Sequence, residues 1–245
     1  MKYILRTIPL IIVLVFTLGA KHDQLIKDMV KFDKAYVPAL VFTNQNNVAS
    51  AKKAMHALQT AWQSFKSTYY TYTINDPLWQ TNLDEIELRL NKAQEMIDGG
   101  NLTVAHNMLE AVRWSFQQLR ARNQIDYLMD DFTMYHDYMT QMATLGAKSD
   151  LSDTDLADLE NGLFPQADQL WQKIEDRTQD AKQFGMSSDE FVQFENLIKT
   201  QRASLDQLQQ AIKNKNKAQI KTATQQLKPN FAKLFMLFGN FDGLQ

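Results

Sequence analysis

The stretch that decides the fold is Asn101-Leu-Thr-Val-Ala-His-Asn-Met-Leu-Glu-Ala-Val-Arg-Trp-Ser-Phe-Gln-Gln-Leu119. It opens on an asparagine suited to capping a helix. Ala105, Met108, Val112, Phe116 and Leu119 then follow at steps of three and four, the spacing that puts apolar side chains on one helical face. No proline or glycine interrupts the chain from Leu102 to Leu145, and Ile125, Leu128, Met129 and Phe132 continue the apolar pattern. A single helix over 102–145 would reach on the order of 65 Å at 1.5 Å per residue, with Arg122-Asn123-Gln124 as the place where it could break.

The same spacing recurs on either side. Asn47, Ala51, Ala54, Leu58, Trp62 and Phe65 match the stretch above, as do Asn216, Ile220, Ala223, Leu227, Phe231 and Leu234. Two readings stand: duplication of a helical hairpin, or the pattern that any buried helix face produces. Other helices are predicted over 23–43 with Pro38 inside, 48–70, 78–97, about 152–184 with an interruption at Gly162 and Pro165, 187–213, and 217–238 with Pro229 inside. Ser187 with Glu190 has the form of a capping box. Alternating apolar stretches, the mark of strands, are missing. The expected fold is all-α: two stacked four-helix bundles, residues 21–122 and 123–245, sharing the long fourth helix.

The front of the chain reads as an address. Lys2 and Arg6 precede an apolar run from Ile8 to Leu18, and the small Gly19 and Ala20 come before the polar Lys21-His22-Asp23. That order is the layout of a cleavable signal peptide over residues 1–20. A retained anchor would need roughly 20 consecutive apolar residues, and Pro9 shortens this run. The predicted location is therefore periplasmic or secreted, with no membrane anchor after cleavage.

With no cysteine in 245 residues, disulfides, thiolate metal sites, cysteine nucleophiles and a lipidated N-terminus are all excluded. The formal charge is −2, and loss of Lys2 and Arg6 takes the 26 basic residues to 24 against 28 acidic ones. A nucleic-acid partner normally leaves a basic footprint, and the lone cluster here, Lys213 to Lys221, reads as a solvated turn.

Motifs of catalysis are missing too: there is no His-Glu-x-x-His, no Gly-x-Ser-x-Gly and no glycine-rich phosphate loop. None of the four histidines belongs to a Glu-x-x-His pair, so a di-iron carboxylate centre is not expected. His22 stands beside the expected cleavage site in an expected unstructured start, and His56 and His106 read as surface residues. The segment Tyr127 to Met142 stands apart, because it gathers four methionines, three tyrosines, three aspartates and His136. On a helix Met129, Phe132, Tyr135, His136 and Met139 share one side. Thioether with imidazole suits copper(I), and one of each on facing helices is a haem ligand set. The same residues also serve as core filler. His136, Met139 and Met134 are thus the candidate metal ligands; counting from the turns puts His136 near the level of Arg202 and Asp206, and convergence of Asp130, His136 and Arg202 inside the second bundle would favour a site over filler. Tyr69, Tyr70, Tyr72 and Trp79 either line a groove or close a bundle end.

Ala105 to Leu119, and Leu205 to Phe235 with its Gln225-Gln-Leu-Lys-Pro-Asn-Phe-Ala-Lys-Leu-Phe235, resemble the closing hairpin of soluble b-type cytochromes and cytochrome c-prime proteins. The resemblance implies a periplasmic antiparallel bundle. It also implies an axial histidine on the last helix, where this chain has none, and an axial methionine early in the first, where Met29 stands. Counting from the turns puts Met29 near Phe116 to Gln118, a bundle length from His136. The functional expectation is a non-catalytic envelope protein that binds a partner or small ligand. The alternative is a haem b or copper protein using His136.

Overall fold

The computed structural model describes residues 8–72 and 75–244, with side chains from residue 22 onward. The described residues are helical and form no strand. The helices are α1 (Ile8–Asn44), α2 (Val48–Tyr69), α3 (Trp79–Asp98), α4 (Leu102–Arg122), α5 (Leu128–Gly146), α6 (Asp153–Asp158), α7 (Phe164–Asp176), α8 (Ser188–Lys213) and α9 (Lys217–Met236). Residues 1–7 of the expected signal peptide lie outside the described residues, and of 8–21 only the helical backbone is described. The described part of the first helix begins at Ile8, ahead of the expected Asp23, and runs through Gly19 without a break. Among the described residues no helix is long and apolar enough to cross a membrane.

Three hairpins share one turn. Asn46, Gly100 and Lys215 take left-handed conformations with φ of 59°, 77° and 50°. In each case the next residue is an asparagine whose backbone N–H returns to the last turn: Asn47 to Phe42 (3.0 Å), Asn101 to Met96 (2.7 Å) and Asn216 to Ala211 (3.0 Å). The side chain of the same asparagine accepts from Ser50, Val104 or Gln219 N–H. One residue therefore closes the outgoing helix and caps the incoming one, a Schellman turn run directly into an N-cap.

The long fourth helix is corrected here. It is two helices, α4 and α5, because Gln124 also turns left-handed (φ 55°) and Ile125 N–H bonds the Arg120 carbonyl (2.9 Å). This is the same helix stop without the asparagine, so no helix restarts at once. The chain runs on to an extended Tyr127 (φ −148°), burying Ile125 and Tyr127. Asp76 fixes the stop by accepting from Asn123 Nδ2 (2.8 Å). The predicted helix over 152–184 is likewise divided: a capping box at Ser152 starts α6, a π turn spans Leu159–Leu163 ahead of Pro165, and Thr178–Phe184 is 3-10.

Helix contacts fall into two groups. In the first, α1 pairs with α2, α3 with α4, α1 with α4 and α2 with α3; in the second, α5 lies against α7 and α9, and α8 against α9 and α7. Phe32, Trp62, Phe65 and Phe116 pack together in the first core. Phe132, Tyr135, Trp171 and Phe231 do so in the second. Tyr69, Tyr72 and Trp79 close one end of the first group, with Trp79 Nε1 donating to the Tyr69 carbonyl (2.7 Å).

The groups are joined through α1. Pro38, inside this helix, has no N–H for the Lys34 carbonyl four residues back. Asn240, beyond α9, supplies the missing donor at 2.8 Å. Gly239 makes that approach possible, because a Cβ there would lie 2.9 Å from Val37 Cγ1 and 3.0 Å from Pro38 Cδ.

Candidate functional site

Where α1 and α4 face α5 and α9, a cleft of about 380 Å³ opens between the two groups. Leu40, Val41 and Asn44 come from α1, and His106, Glu110, Arg113 and Trp114 from α4. The far wall is His136, Asp137, Met139 and Thr140 of α5 with Lys228, Phe231 and Phe235 of α9. Tyr36 fixes the register of α1 on α4 by donating to the Leu109 carbonyl (2.8 Å).

Arg113 organises the polar part. It is only 5% exposed, although it lines the cleft. Its Nη2 donates to Glu110 Oε2 (2.5 Å) and approaches His136 Nδ1 at 2.7 Å, while its guanidinium rests 5.6 Å from the Phe235 ring centre. A guanidinium has donors and no acceptor, so His136 Nδ1 must be the acceptor and the imidazole proton sits on Nε2. Burial, with the nearby positive charges of Arg113 and Lys228, pushes the His136 pKa down to about 2. His136 is thus a neutral ring across the working pH range, and its ring lies 5.5 Å from that of Phe231. His106 joins from the other side: its Nδ1 is 3.2 Å from the Leu40 carbonyl, and its Nε2 is 3.7 Å from Glu110 Oε1.

Of the three metal candidates, the structure brings two together. His136 and Met139 line the cleft, but Met134 lines a different groove, against Gln169 and Lys173 of α7. On a helix, positions 134 and 136 point about 200° apart at 3.6 residues per turn. Met29 is buried in the first core and does not line the cleft. Among the described residues no group of three or more histidine, aspartate and glutamate side chains could hold a metal ion.

Asp130, His136 and Arg202 do not converge. The level is right, since Gln201 Nε2 donates to Tyr135 Oη (2.5 Å). Arg202, however, turns to α7, where it bonds Asp168 and Glu175. Asp130 turns to α4, where Arg120 Nε and Nη2 grip its carboxylate at 2.5–3.0 Å. Tyr127 Oη donates to Asp33 at 2.6 Å beside that pair. Burial raises the Asp33 pKa to about 6, against the pull of Arg120.

Sequence reading missed Arg113, Glu110 and Lys228. A signal was there: Arg113 and Arg120 stand on the buried face of α4 with Leu109 and Phe116, positions where a charge is out of place.

No family model matches this chain, and neither a curated protein nor a solved structure matches it. The cytochrome resemblance therefore rests on the quoted residues alone.

Proposed function

We propose that this is a non-catalytic, exported helical protein whose cleft between two stacked bundles binds a small ligand in the cell envelope. The observation that carries the reading is Arg113, a charged side chain 5% exposed at the wall of a cleft of about 380 Å³. Sites for small ligands combine an apolar surround with a few placed polar groups, and Met139, Phe231 and Phe235 supply the surround here. A histidine held at a pKa of about 2 is a poor general base near neutral pH, which favours binding over catalysis. The address rests on the pattern of residues 1–20.

The test is native mass spectrometry on protein purified from the envelope fraction of its own cells. A retained small molecule is expected, and Ala232→Trp, which fills the cleft from an exposed position on α9, should lose it while keeping wild-type helicity. Retention by Ala232→Trp would move the ligand elsewhere.

Copper(I) or haem b is the second reading, favoured by His136 and Met139 lining one cleft. Its weakness is electrostatic. Arg113 occupies Nδ1 at 2.7 Å, and both it and Lys228 place positive charge beside any incoming cation. A Soret band or stoichiometric copper that His136→Ala abolishes would reverse the order of the two readings.

A further inference from the structure

Resting on the small-ligand reading of the cleft, we infer the chemical class of its occupant: a monocarboxylic acid with a compact apolar body. Its carboxylate would lie between Arg113 and Lys228, and its body against Phe231 and Phe235. The donors of Arg113 are not all answered without it. Arg113 is permanently charged and buried, and both of its hydrogen bonds leave from Nη2. Nε is buried without an acceptor, and Nη1 bonds no protein group among the described residues. An ion buried with donors left over is costly, because desolvation is repaid only when the remaining protons find acceptors.

The other charged groups lining the cleft are two acids and one lysine. Glu110 is engaged by Arg113, and Asp137 accepts from Gln141 at 2.9 Å. Lys228 is exposed at the cleft and makes no ion pair with the described residues. The cleft thus carries two cations and two carboxylates, and what it lacks is an acceptor for the Arg113 donors. An acidic ligand would supply that acceptor beside Lys228, whereas an amine would bring only further donors. The neutral His136 ring offers its Nε2 proton as a further donor. The apolar faces exclude a small, fully hydrated anion as the preferred occupant, since phosphate or sulfate would leave Phe231 and Phe235 without a contact.

The experiment uses one body in three charge forms, 3-phenylpropanoate, its amide and 3-phenylpropylamine, titrated calorimetrically into the full chain, with Trp114 fluorescence as the local reporter. The acid should bind at least about tenfold more tightly than the amide, the scale of one charge-assisted hydrogen bond. Lys228→Gln, at an exposed position, should remove about tenfold of the acid's affinity, and Arg113→Lys, which keeps the charge, should weaken it as well. Equal binding of acid and amide, or tighter binding of the amine, overturns the carboxylate and leaves the cleft reading standing. The carboxylate is overturned in the same way if none of the three binds while a retained ligand is displaced by Ala232→Trp. If nothing binds and nothing is retained, both inferences fall.

Discussion

Arg113 and Arg120 stand two turns apart on the same buried face of α4, and their surroundings differ. Arg120, 3% exposed, holds Asp130 through two nitrogens and is sandwiched by Phe116 and Tyr127, 5.3 and 4.7 Å from its guanidinium. Arg113, 5% exposed, holds Glu110 and His136 through one nitrogen and leaves Nε without an acceptor. Asp131, next to Asp130, extends the first arrangement to Lys173 and Arg177 at 2.7 and 2.6 Å. Arg120 closes a buried ion pair between α4 and α5, and Asp131 beside it ties α5 to α7. Arg113 borders a cleft with capacity left over. One buried cation is a fastening, and the other belongs to the proposed site.

The largest test of that contrast is removal of each charge. Arg120→Met strands Asp130 in the interior and should cost about 3–5 kcal/mol, the range for breaking a buried ion pair. Arg113→Met should cost about 1–2 kcal/mol, because Glu110 and His136 border the cleft and water can reach them. Urea denaturation followed by helicity measures both, and equal losses would erase the distinction.

Acid titration separates the two regions by sign. Asp33, beside Arg120, has its folded pKa raised from 3.8 to about 6. The folded state holds the extra proton in that window, so this group's contribution falls as pH rises from about 4 to about 6. Its size is on the order of 2 kcal/mol. His136 has its folded pKa lowered from 6.5 to about 2. The unfolded state holds the extra proton there, so this contribution rises with pH up to 6.5. Asp33→Asn should therefore gain stability relative to wild type as pH rises from about 4 to about 6, and His136→Gln should lose it over the same interval. Parallel difference curves would contradict the assigned protonation states.

The smallest test is Tyr127→Phe, which removes the 2.6 Å bond to Asp33 and keeps the ring over Arg120. It should cost about 1 kcal/mol and move the Asp33 transition upward, since that bond favours the carboxylate. The transition is read from the carboxyl carbon shift by NMR.

The periodic part of this structure was legible in the sequence. The stripes through Trp62, Phe116 and Phe231 are buried, and Asn47, Asn101, Asn216 and Ser187 cap where their chemistry said they would. The stop at Gln124 was visible only as one option, because a glutamine in a left-handed conformation has no compositional mark of the kind Gly100 gives. His136 was found for its neighbours on its own helix. The partners that define it came from α4 and α9, and a helix period does not say which foreign side chain arrives. Arg202 shows the limit: turn counting gave its level along the bundle, while its rotation about α8 sent it to α7.

The bond from Asn240 to the Lys34 carbonyl carries a kinetic consequence. It joins residues roughly two hundred positions apart, a closure whose entropic cost falls late in folding. Helix α1 must wait, with one carbonyl unanswered at Pro38, until the chain beyond α9 has been synthesised and has docked. Intermediates in which only the first four helices have formed should then exchange the amide protons around Pro38 faster than those of α2, and the docking of Asn240 sets the moment at which α1 becomes native.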